Sequence, residues 1–122
     1  MQACGAYRNT QVRTARPETL VTLLYSACIR FMRTGREALE QGRHEEAGRM
    51  LIRAQDIVVE LRASLNAEAG EIAGNLSSLY EYVQDRLVTA NIKKNAGPVD
   101  AALRVMEGIC EAWIEALRVA PK

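Results

Sequence analysis

The sequence predicts an all-α protein: an antiparallel up-and-down four-helix bundle with a flexible N-terminal arm. Three observations carry that prediction. Apolar residues recur every three or four positions through four segments, the breaks between the segments are short and rich in Gly, Asn and Pro, and no stretch alternates as a half-buried strand does. Helices of roughly twenty residues are about 30 Å long, and short connections between them favour antiparallel neighbours. The pattern divides the chain into an arm at 1–16 and a bundle at 17–120.

Pro17 suits the first position of a helix, where its missing N–H would be unbonded in any case, and Glu18 meets the positive helix end. Leu20, Leu24, Ala27, Phe31, Gly35 and Ala38 then recur at helical spacing, with Val21, Tyr25, Cys28, Met32 and Leu39 on the adjoining stripe, until Gln41 and Gly42 end the helix. Ala47, Met50, Leu51, Ala54, Ile57, Val58, Leu61 and Leu65 form the seam of a second helix. After a turn over Asn66 to Glu71, a third helix runs from about Ile72 to Lys93 through Leu76, Leu79, Tyr80, Val83, Leu87 and Ala90. Asn95, Gly97 and Pro98 make the next break, and Val99, Leu103, Met106, Ile109, Cys110, Trp113 and Leu117 mark a fourth helix that ends before Pro121.

At 122 residues, with 48% apolar composition, the chain has material for one domain and one modest core. Its formal charge is +1 and its Lys and Arg are scattered among Asp and Glu, so it shows no basic face for a phosphate backbone, and nucleic acid is not an expected partner. The richest apolar stretch, Leu20 to Phe31, is interrupted by Thr22, Ser26 and Arg30, which argues against membrane insertion and points to the cytoplasm. Cys4, Cys28 and Cys110 cannot pair off evenly and lack Cys-x-x-Cys spacing, while Cys28 and Cys110 fall on core stripes.

Catalysis finds no support. A carboxylate-bridged di-metal bundle needs Glu-x-x-His on two helices, but this chain has one histidine, His44, with Gln41 three residues before it. A phosphorelay bundle presents a histidine in mid-helix, whereas His44 stands at a helix start before Glu45 and Glu46. No Ser or Cys has a base at a suggestive spacing, and no glycine-rich phosphate loop occurs. The expectation is a protein without catalytic residues, metal or cofactor.

What remains is binding. Counting about 100° per residue, Ile52 and Val59 stack on the second helix well outside its seam, as a second apolar stripe. Leu23 and Ile29 widen the arc of the first helix, and Val105 that of the fourth. Surface scatter accounts for such residues in many proteins. A groove for an amphipathic partner accounts for them too, as does a stripe that meets its own symmetry mate in a self-associating structural bundle.

Several short segments are similar to the flagellar secretion chaperone family, FliS. Early in the chain these are Ala6-Tyr7, Thr14-Ala15, Pro17-Glu18 and Leu24-Tyr25. More specific are Leu39-Glu40-Gln41-Gly42, Ala54-Gln55 with Ile57-Val58, Gly70-Glu71-Ile72-Ala73 with Asn75-Leu76, Leu79-Tyr80-Glu81-Tyr82, Ala90-Asn91 and Glu111-Ala112-Trp113. Order and spacing match over nearly the whole chain. The resemblance implies a small cytoplasmic helical bundle that binds the disordered C-terminal segment of flagellin, keeps it from polymerising and delivers it to the flagellar export apparatus, the free protein being a monomer or weak dimer. A tail that folds on binding would lay amphipathic helices into apolar grooves, which agrees with the surplus stripes.

The resemblance also assigns roles. The arm, carrying Tyr7 and Val12, would lie in a groove as a movable cover, its tyrosine docking to export components. Asn75 and Asn91 match family asparagines beside the apolar stripe of the third helix, where an amide can donate to and accept from a passing backbone. Tyr80 reads as core, Tyr82 as groove edge and Trp113 as packing. With Leu23, Ile52 and Val59 these residues make up the expected partner-binding set. One departure from the family pattern is Arg16, where a serine commonly caps the first helix.

Overall fold

The computed structural model describes residues 16–66 and 70–119. Among these residues the chain forms α1 (Pro17–Glu40), α2 (His44–Ala63), α3 (Glu71–Lys93) and α4 (Gly97–Val119), with no strand. Tyr7, Val12 and the rest of the expected arm up to residue 15 lie outside the described residues.

Contacts fix the directions of the helices. Descending α1 from Arg36 to Arg33 to Thr22, the partners on α4 climb from Asp100 to Glu107 to Trp113, so the two helices run antiparallel. Cys28 of α1 points its thiol at the Ala54 carbonyl of α2, and Gly35 lies against Leu51, so α1 and α2 are antiparallel as well. Arg62 reaches Ser77 while Gly48 faces Asn91, which orients α2 against α3 in the same sense. Each helix packs on two neighbours, and α1 and α3 stand on one diagonal, α2 and α4 on the other.

The seams read from periodicity form the core. Met32, Leu51, Val58, Tyr80, Leu87 and Met106 have at most 1% of their surface exposed, and each such aliphatic side chain contributes about 1.5–3 kcal/mol by leaving water. Cys28 and Cys110 are fully buried among them. Gly35 is where α1 and α2 come closest: a Cβ built there would stand 2.8 Å from Leu51 Cδ2.

The structure corrects four local expectations. Ile29 is buried, because the row Thr22, Ser26 and Ile29 faces α4 and gives α1 two core-facing flanks instead of one. Leu20 and Leu79, placed on stripes by periodicity, are 40% and 39% exposed. Gly97 and Pro98 belong to the first turn of α4 rather than to the break: proline is tolerated there, and the Asn95 side-chain oxygen accepts the Gly97 N–H at 2.8 Å, covering a donor the new helix leaves free. The α3–α4 turn is tight enough to force Lys94 into the left-handed region at φ 52°. Arg16 precedes α1 with no side-chain cap bond, as expected from the missing serine.

Candidate functional site

The α2–α3 face holds an open apolar groove of about 320 Å³ lined by Val58, Val59, Arg62, Ala63, Tyr80 and Gln84. Its floor comes from the seams, since Val58 and Tyr80 are almost fully buried. Its rim includes a residue the seams do not use: Val59 is 54% exposed, and Ile52, seven residues earlier on the same side of α2 and beyond the lining, is 50% exposed. The expected second stripe of α2 meets this depression at Val59. Arg62 stands at one end, its guanidinium donating to Ser77 Oγ and Glu81 Oε2, both at 3.0 Å.

Ser77, Glu81, Gln84 and Asn91 follow one another at helical spacing along the side of α3 that faces α2. Asn91 thus belongs to the groove side, although its Oδ1 already accepts a bond from Lys94 Nζ at 2.9 Å. Asn75 and Tyr82, seven residues apart, share the nearly opposite flank of α3. Both are exposed, and the Arg86 guanidinium stands 5.9 Å from the centre of the Tyr82 ring. Leu23 is half-buried on α1, which packs on α2 and α4 and has no part in the groove lining. The structure therefore brings Ile52, Val59 and Asn91 to one face, puts Asn75 and Tyr82 on a second, and leaves Leu23 on a third.

Sequence reasoning missed Gln84 and Arg62, and read Val58 and Tyr80 as core without seeing that they also floor a groove. A signal existed for Gln84: it lies one turn after Tyr80, so a long amide continues the line of a core residue.

The chemistry available here is recognition. Burial pushes the Cys28 thiol up to about 12, so the sulfur is a protonated filler and not a nucleophile at neutral pH. Burial, followed by the bond to Tyr25, likewise holds the Tyr80 phenol above its usual range. His44 is exposed at the first residue of α2. Among the described residues no group of His, Cys, Asp and Glu could hold a metal ion, and no helix is long and apolar enough to cross a membrane.

Comparison with known proteins gives a consistent result. The family model described as Flagellar protein FliS matches residues 1–120. The flagellar secretion chaperone FliS of Bacillus subtilis is 34% identical over 113 residues, covering 93% of this chain and 84% of that protein. Its counterpart in Salmonella typhimurium is 34% identical over 113 residues, covering 91% and 82%. A crystal structure of a bacterial flagellar chaperone shares the fold with a TM-score of 0.79 at 22% identity, over 98% of both chains. These relatives are named as chaperones, and the match of family model and sequence over almost the full length shows that the chain belongs to the FliS family.

Proposed function

We propose that this chain is a cytoplasmic chaperone that binds the C-terminal segment of flagellin, holds it unpolymerised and passes it to the flagellar export apparatus. Family membership supports the flagellar role, and relatives named as flagellar secretion chaperones support the link to export. The observation that carries the binding step is the open groove between α2 and α3, lined by half-exposed Val59, with exposed Ile52 farther along the same side of α2. A disordered segment that becomes helical in such a groove must recover its ordering cost from buried apolar area, and these side chains supply part of that area. Asn75 and Tyr82 would serve a second stretch of the same tail on the far flank of α3, with Leu23 a third contact and Tyr7 and Val12 contacts of the arm.

The test is the double variant Ile52→Asp, Val59→Asp. Both side chains are half-exposed, so their charged replacements stay hydrated in the free protein but would be stripped of water under a bound helix. Calorimetry with a flagellin C-terminal peptide should show affinity falling by more than tenfold, circular dichroism should show that the peptide gains helix only with the unaltered chain, and the melting temperature should hold. Loss of cooperative melting with unchanged affinity would place the stripe in the core instead. Light scattering separates the competing use of the same stripe: a stable dimer broken by the double variant would favour self-association.

A further inference from the structure

Gln84 stands half-buried in the groove wall, and its Oε1 is closed off from solvent without a hydrogen-bond partner, alone in that respect among the buried side-chain nitrogen and oxygen atoms of the described residues. No lining residue donates to it in the structure. The Tyr80 hydroxyl is paired with that of Tyr25 at 2.6 Å, Arg62 is engaged by Ser77 and Glu81, and Val58, Val59 and Ala63 present only apolar side chains. A buried acceptor left in this state raises the free energy of the empty groove.

We infer that Gln84 selects the groove's occupant by accepting a hydrogen bond from one donor, an amide N–H or a hydroxyl, carried on an otherwise apolar helical face of the bound flagellin segment. The terminal torsion of a glutamine is broad, so a small rotation offers the oxygen to a donor that enters. The surrounding apolar lining makes the selection sharp. A segment with the donor satisfies an oxygen that nothing else in the groove satisfies, while a purely apolar segment leaves it as unmet as it is in the empty groove. This inference rests on the reading of the groove as a flagellin seat.

Gln84→Met keeps the side chain's length and removes the acceptor, and Gln84→Leu provides a second variant should the first pack poorly. With the full chain and synthetic flagellin C-terminal peptides, the two properties should move in opposite directions. The urea midpoint of the free variant should rise or hold, because an unsatisfied oxygen is gone, and the dissociation constant should increase about tenfold. Alanine scanning of the peptide's Ser, Thr, Asn and Gln should reveal one position whose loss costs about tenfold with the unaltered chain and nothing with Gln84→Met, a coupling that a merely structural role cannot produce. Equal peptide affinity for the unaltered chain and Gln84→Met overturns the inference and leaves the flagellin reading standing. Failure of the unaltered chain to bind any flagellin peptide overturns that reading, and the inference with it.

Discussion

Tyr25 of α1 and Tyr80 of α3 meet hydroxyl to hydroxyl, 2.6 Å apart, across a diagonal of the bundle. Apolar packing alone leaves the depth and rotation of opposed helices loosely set, and a buried polar pair that must meet fixes both. The Tyr25 and Trp113 rings meet in a T-shaped arrangement with ring centres 6.3 Å apart, and the Trp113 Nε1 donates to Thr22 Oγ1 at 2.8 Å. Polar contacts thus tie α1 to both α3 and α4, and the Tyr80 end of the pair forms the groove floor.

Removing one hydroxyl of the pair leaves the other buried and unpaired, whereas removing both leaves no unmet group. Tyr25→Phe and Tyr80→Phe should therefore each lower stability by about 1–3 kcal/mol, and the double variant should cost clearly less than their sum. Urea unfolding of the four proteins measures this. Additive losses would mean that the two hydroxyls do not depend on each other.

Gly35 sets the α1–α2 distance. A methyl there meets Leu51 Cδ2 at 2.8 Å and Cγ at 3.0 Å, and Leu51 is fully buried with little freedom to retreat. Gly35→Ala should destabilise the bundle by about 1–3 kcal/mol despite alanine's better helix propensity. A gain in stability would show that α1 and α2 can move apart freely.

The alkaline side of the stability profile should be steep. The Cys28 thiol, raised by burial to about 12 from an ordinary 9.0, keeps its proton in the folded chain at pH values where the unfolded chain has lost it. The folded state then binds more protons than the unfolded state, so stability is fully present below pH 9 and declines as pH rises towards 12. Tyr25 and Tyr80, both raised by burial, add to the decline above their ordinary value of 10.0. Denaturant titrations from pH 8 upward should show a shallower decline for Cys28→Ala than for the unaltered chain, and equal slopes would remove the thiol from the account.

Most of the fold was legible because the residues that make it are repetitive. The seam of α2 through Leu51, Ala54, Val58 and Leu61 is a period that no other structure satisfies, and Pro17 marks the start of α1 by its missing N–H. Ile29 was misread because one helix's periodicity does not reveal how many neighbours that helix will have. Part of the candidate groove was legible for the opposite reason: Val59, which lines it, stands out with Ile52 because the period does not need them. Gln84 was not, since an unmet oxygen depends on where Tyr80, Arg62 and Val58 point their side chains, and that is settled between helices rather than along one of them.

The most direct test of the central claim, that the α2–α3 groove seats a flagellin tail, is a titration of the isotope-labelled full chain with a flagellin C-terminal peptide while its amide signals are followed. The account predicts saturable shifts near one equivalent, largest at Val59, Arg62 and Gln84 of the groove lining and at Ile52 and Asn91 farther along the same sides of α2 and α3. Shifts confined to the α1–α4 face around Arg33, Arg36, Asp100 and Glu107, or none with several flagellin tails, would contradict it.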